Sequence, residues 1–300
     1  MGESVVGPWA KDKLDRLGKY LNAYTTVMKD RRWCNGYHYI DAFAGPGDHE
    51  LRAKKTDRRH GAKQSLLDVS SFGSEEEEQQ KQFLAGSPRV ALGIEFPFTN
   101  YVFIERSVDR IESLNRIKLE YEKKGRRIHI RKMDCTKYLE DLIPKINWKT
   151  NRALVFLDPF GMQVEWRTIE LLAATEGIEI FLNFPVGMAI QRLMPRNPRN
   201  FTPSQRLRLD RYFGSPDWID ELYPEQATLF GCDDRQKVME SGAALLRWYR
   251  GRLRGPFPHV SKAALIRNTR GAHLYYLLLA SHHKLGVKIA NEILSAGETI

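Results

Sequence analysis

The sequence predicts an α/β protein: a doubly wound, mostly parallel sheet with an N-terminal helix and helical insertions. Three observations predict it. From Ser87 onward, short β-prone runs alternate with segments whose apolar residues recur every three or four positions, the pattern of repeated βα units. The runs 101–105 and 153–157 are apolar on both faces, as strands covered by helices on each side must be. Acids or glycines stand just past several of these runs, where open α/β sheets collect ligands.

The elements follow in order. Trp9, Leu14, Leu17, Leu21, Tyr24 and Met28 recur at spacings of three to five, one buried stripe of an opening helix. Residues 37–43 are a short strand that stops in Ala44-Gly45-Pro46-Gly47. Residues 49–86 read as an inserted, mobile loop, running from basic to the low-complexity GSEEEEQQKQ with few apolar residues in any period. Ser87-Pro88 reads as a helix start, Ser as N-cap and Pro at the first helical position. A strand at 101–105 leads to a helix over 107–124, where Val108, Ile111, Leu114, Ile117 and Tyr121 keep helical spacing. Residues 128–133 form a strand, 136–146 a helix, 153–157 the strongest strand, 166–174 a helix and 178–184 a strand. Residues 188–256, rich in Pro, Arg and Trp, read as a mostly helical insertion. Strands at 263–268 and 274–280 and a helix at 285–294 close one domain spanning 1–300, without internal repeats.

Composition narrows the class. With 42% hydrophobic and 28% charged residues the chain is ordinary for a soluble globular protein. Every apolar run is cut by a charge before it reaches membrane-spanning length, and the start lacks a basic-then-apolar leader and a myristoylation motif. Cys34, Cys135 and Cys232 are odd in number and scattered, which fits a reducing, cytoplasmic setting rather than a disulfide framework. Lys and Arg number 47 against 37 Asp and Glu, a surplus of +10 that favours polyanionic partners and equally serves plain solubility. The positive charge is clustered at 52–63, at 192–211 (Arg192, Arg196, Arg199, Arg206, Arg208 and Arg211, opposed only by Asp210) and at 247–254 (Arg247, Arg250, Arg252 and Arg254). Arginine, whose planar fork suits phosphate, dominates the last two.

Four signals fall at strand ends. Asp41 through Gly47 lets the backbone approach a ligand closely, but Glu50 replaces the third glycine of a dinucleotide fingerprint, and no P-loop motif is present. Glu105 ends the next strand, where a carboxylate accepts from a ribose diol; it follows Gly47 by 58 positions (105 minus 47), a gap the inserted loop explains. Asp134 is placed to accept from an adenine amino group. Asp158-Pro159-Phe160-Gly161 ends the strongest strand. Each has a plain alternative: a turn at Gly-Pro-Gly, a surface pair of Glu105 with Arg106, a helix N-cap at Asp134, a turn at Asp158-Pro159, a core aromatic at Phe160. Asn183-Phe184-Pro185 either shapes the same pocket or is a turn.

This ordered set resembles the Rossmann-like methyltransferases that use S-adenosyl-L-methionine. YIDAFAGPG, GSPRVAL, FIERS, FLDPFG, WAKDKLDRLGKYL and the closing YYLLLASHHKLGVKIANEIL are similar to the three-Cys-motif partner proteins, over nearly the whole chain apart from the inserts. The resemblance implies a methyltransferase-like fold, S-adenosyl-L-methionine as cofactor and a radical-SAM-type partner protein bearing the three-cysteine motif. It places Asp41, Phe43, Gly45 and Gly47 at the methionine end of the cofactor, Glu105 at the ribose and Asp134 at the adenine.

Asp158, Pro159 and Phe160 resemble the acidic-proline-aromatic motif of enzymes that methylate exocyclic amines on nucleic acids. Such an amine is a poor nucleophile because its lone pair is delocalised; a carboxylate and a carbonyl accepting its protons restore the lone pair, while an aromatic ring stacks on the extruded base. The expected substrate is therefore a base of RNA or DNA, with Arg192, Arg196, Arg199, Arg250 and Arg252 on the phosphate-contacting surface. An accessory protein serving the radical-type partner, and a methyltransferase for a small molecule or protein, are the alternatives. No C-x-x-C or H-E-x-x-H motif signals zinc, His282 and His283 point to opposite sides, Cys135 is a small buried thiol, and His38 is structural.

Overall fold

The computed structural model describes residues 8–47, 86–159, 161–224, 237–238, 241–268 and 271–295. Of the predicted loop at 49–86 only Gly86 falls among them; the basic stretch 52–63, Phe160, Cys232 and part of the 188–256 insertion lie outside.

Strands β1 (Gly36–Asp41), β2 (Asn100–Glu105), β3 (Ile128–Lys132), β4 (Asn151–Leu157), β5 (Ile178–Phe184), β6 (His259–Val260), β7 (Ala264–Arg267) and β8 (His273–Ser281) form one sheet. Its order is β3-β2-β1-β4-β5-β8-β6, with β7 also paired to β8. The first five strands are parallel, in the 3-2-1-4-5 order of a Rossmann-like sheet. β8 runs antiparallel to β5, β6 and β7. The antiparallel β7–β8 pairing follows from connection length: β7 ends at Arg267 and β8 begins at His273, with Asn268 N donating to Ala272 O. A parallel return needs a crossover of a dozen residues or more.

Alternation along the strands sorts the core into two layers. Ile40, Val102, Ile104, Val155 and Leu157 face helices α4 (Cys135–Leu142), α5 (Trp166–Ala173), α6 (Pro203–Phe213), α7 (Trp218–Leu222) and α8 (Ser241–Leu253). Tyr39, Tyr101, Phe103, Leu154 and Phe156 face α1 (Pro8–Met28), α2 (Ser87–Leu92), α3 (Val108–Glu122) and α9 (Lys284–Leu294). The sheet is doubly wound, as the two-sided apolar strands predicted.

Two local readings are corrected. Ser87 is the first residue of α2, not its N-cap; Gly86 holds the cap position and has no side chain to cap with, while the Ser87 side chain is buried. The helix predicted over 136–146 stops at Leu142, and Ile143–Lys145 tightens into a 3₁₀ turn. Pro144 has no backbone N–H with which to continue an α-helix. The 188–256 insertion is entered through a π-helical turn at Val186–Ile190 before the α-helices begin. No helix among the described residues is long and apolar enough to cross a membrane.

Candidate active site

The parallel strands bring their carboxyl ends to one edge, and a cleft of about 690 Å³ opens above β1, β2 and β3. Phe43, Glu105 and Asp134 line one wall together with Arg106 and Arg110; the facing wall is α6, through Ser204, Leu207, Arg208 and Arg211. Two of the four predicted strand-end acids therefore share this cavity.

Glu105 ends β2 and is held rigidly. Its Oε1 accepts the backbone N–H of Arg106 at 2.7 Å and of Ser107 at 2.9 Å, while Arg110 Nη1 donates to Oε2 at 3.4 Å. With two oxygens and about four lone-pair sites, the carboxylate keeps acceptor capacity on Oε2. Asp134 is the N-cap of α4: Oδ1 accepts from Thr136 N at 3.0 Å and Lys137 N at 3.3 Å. Oδ2 lies 4.0 Å from the exposed Arg106 guanidinium. Asp134 is thus the helix N-cap and also a residue of the cleft wall.

Asp41 and Asp158 lie beneath the cleft instead of on its wall, at 0% and 1% exposure. Tyr39 Oη donates to Asp41 Oδ2 and Phe43 N to Oδ1, both at 3.3 Å. The buried Ser87 hydroxyl beside it, with the Phe43 and Tyr39 donors, draws the Asp41 carboxyl down. Burial wins, with the Asp158 charge adding to it, and Asp41 is pushed up to about 7. Asp158 forms an ion pair with Lys13 and accepts from Asn183 Nδ2 at 2.6 Å. Asn183 Oδ1 is buried without a partner. Lys13 stands four residues before Leu17 and so belongs to the buried face of α1. Its ammonium lies 5.7 Å from the Phe156 ring centroid and 5.6 Å from that of Tyr275. Burial lowers it to about 8, against the pull of Asp158 and Asp41.

These shifts set a pH dependence. Between its ordinary 3.8 and about 7, Asp41 holds a proton in the folded chain that the unfolded chain has lost. Its contribution to stability therefore falls as pH rises through that window. Between about 8 and 10.5 the unfolded chain holds the Lys13 proton instead, so that contribution rises. Thermal melts of Asp41→Asn are expected to show a shallower decline than wild type across the first window, and an unchanged difference across it would refute the assignment.

Gly45 and Gly47 take φ of +64° and +70°. They are buried and not among the cleft's walls. A Cβ on Gly47 would meet Ile117 Cδ1 at 2.5 Å, so this glycine lets the loop close onto α3. Pro159 is buried with Asp158.

The predicted arginine surface divides. Arg192, Arg196 and Arg199 are exposed. Arg250 and Arg252 are half-buried, and the Arg252 guanidinium sits 4.7 Å from the Trp166 ring centroid and 5.3 Å from that of Trp248. Arg252 thus also packs on aromatic faces, which suit arginine's planar cation. The arginines on the main cleft are Arg106, Arg110, Arg208 and Arg211. Sequence reasoning saw Arg208 and Arg211 within a cluster and Arg106 only as a surface partner of Glu105, but passed over Arg110 and Lys13. The signal for Lys13 was its helical register with Leu17 and Leu21.

Among the described residues no group of three His, Cys, Asp or Glu is placed to hold a metal ion. His282 Nε2 meets Ala173 O at 2.9 Å, whereas His283 is exposed. The chain matches no protein-family profile and no curated protein. Among solved structures it is similar to magnesium protoporphyrin IX methyltransferase (ChlM) from Synechocystis PCC 6803 with bound SAH, at 11% identity and a TM-score of 0.37, over 93% of this chain and 90% of that one. EvdMO1 aligns at 9% identity and a TM-score of 0.33, over 90% of this chain but 41% of EvdMO1. A conserved hypothetical protein of Streptococcus pyogenes aligns at 16% identity and a TM-score of 0.28, over 57% of this chain and 79% of that one. Likenesses this distant carry no argument about the chemistry, which rests on the residues themselves.

Proposed function

We propose that the protein is an S-adenosylmethionine-dependent methyltransferase acting on an exocyclic amine of a nucleic-acid base. The observation that carries this reading is the shared cleft of Glu105 and Asp134, acids from the ends of adjacent parallel strands, with Phe43 beside them. The residues fit the cofactor: the cavity is of ligand size, Oε2 of Glu105 retains a lone pair for a ribose hydroxyl, and Oδ2 of Asp134 is open to an amino group. Bound there, S-adenosylmethionine supplies an electrophilic methyl group. This reading asks Asp158 and the backbone following β4 to accept the amine protons as positive charge develops on nitrogen. Lys13 gives the buried Asp158 its countercharge.

One observation favours a second reading. The Asp158 carboxylate is buried and already engaged by Lys13 and Asn183. An accessory protein that assists a radical-type three-Cys-motif partner would keep this fold without methyl transfer.

Calorimetric titration with S-adenosylmethionine, followed by incubation with tRNA and DNA and mass spectrometry of the nucleosides, separates the two. The expected result is cofactor binding and one methylated base, with Asp158→Asn losing transfer while cofactor affinity stays within a few-fold. Binding without transfer to nucleic acid by wild type leaves the accessory protein and the small-molecule or protein methyltransferase; no heat at all removes the methyltransferase readings and leaves an accessory protein that has lost the cofactor.

A further inference from the structure

Helix α6 separates two clefts, and its arginines line both. Ser204, Leu207, Arg208 and Arg211 stand at i, i+3, i+4 and i+7, one helical face, and that face walls the main cleft. Arg206, two residues from Arg208 and so on nearly the opposite side, walls a second cleft of about 540 Å³ that also takes in Arg199, Asp217 and Asp220. The remaining face, Leu209, Tyr212 and Phe213, is buried. The acid within α6 is withdrawn from this surface: Asp210 Oδ1 accepts from Trp218 Nε1 at 2.8 Å. Arg206, Arg208 and Arg211 are exposed and form no ion pair among the described residues. Leu207, 52% exposed, adds an apolar surface between the cations on the cleft side.

Resting on the function proposed above, we infer that the substrate is a polynucleotide strand that crosses α6 and places phosphates in both clefts. A helix with its side chains is about 10–12 Å across. A mononucleotide or a small anionic metabolite reaches one side of it, whereas a strand reaches both. Three guanidiniums on α6 offer the bidentate geometry that phosphate oxygens accept. Leu207 and Phe43 offer a base an apolar surface within the main cleft. Asp217 and Asp220 offset the positive charge of the second cleft, which makes it the weaker of the two subsites.

The test is fluorescence anisotropy of labelled dinucleotides and decanucleotides, as DNA and RNA of one sequence, across a salt series. The decanucleotide is expected to bind at least about tenfold tighter than the dinucleotide. Arg206→Ala is expected to weaken the decanucleotide about threefold, lower its salt slope by about 0.7, the value for one phosphate contact on a single strand, and leave the dinucleotide unchanged. Arg208→Ala and Arg211→Ala weaken both. Equal affinity for the two lengths, an unaltered salt slope in Arg206→Ala, or equal binding of polyglutamate would each overturn the inference. Titration of wild type with S-adenosylmethionine alone tests the underlying reading independently: strand binding without cofactor binding retains the two-sided α6 surface and removes the methyltransferase.

Discussion

Replacing Lys13 by methionine is expected to cost about 3–5 kcal/mol of folding stability, the range for a buried ion pair that loses one partner. The large effect comes from what is left behind. Asp158 stays at 1% exposure beneath the strand ends, and its neutral donor, Asn183 Nδ2, cannot replace an ammonium. Changing Asp158 to asparagine as well removes the uncompensated charge, so the double variant Lys13→Met, Asp158→Asn is expected to recover most of the loss. Urea unfolding of the two single variants and the double variant, arranged as a double-mutant cycle, measures the coupling directly. A loss below about 1 kcal/mol in Lys13→Met would place the pair in solvent and remove Lys13 from the site.

The second large effect is expected at Glu105. Glu105→Gln keeps the side chain's shape and one oxygen for the Arg106 and Ser107 amides. It puts an NH₂ group where Oε2 now faces Arg110, so donor meets donor and a ribose hydroxyl loses its acceptor. A hydrogen bond to a charged group is worth about 1.5–3 kcal/mol, which corresponds to about 10- to 100-fold in cofactor affinity. Asp134→Asn is expected to be milder, because Asn is also a strong N-cap and keeps an oxygen for Thr136 and Lys137. Calorimetric Kd values for S-adenosylmethionine check the order; equal affinity in wild type and Glu105→Gln would show that Glu105 serves only the turn after β2.

The arginines show where reading a sequence stops. Charge clustering identified the 192–211 stretch, and helical periodicity alone places Ser204, Leu207, Arg208 and Arg211 on one face. Which face met the cleft depended on Leu209, Tyr212 and Phe213 burying the opposite side, a contact with α5 and α8 that no local pattern encodes. Arg252 looked like its exposed neighbours in sequence, yet two tryptophans hold it.

By itself the sequence determined the alternation of strands and helices, the doubly wound sheet and the positions of the acids at strand ends. Those follow from periodicity and from side chains alternating across a pleated strand, both local properties of the chain. Tertiary structure decided which acids face open space. β1 and β4 are central neighbours in the sheet, covered on one side by α1, so Asp41 and Asp158 were buried, Asp158 against Lys13. β2 and β3 lie toward the edge, so Glu105 and Asp134 stayed on the cleft. That division is set by lateral strand order and by helices packing from far along the chain, and burial then assigned each carboxylate its partner.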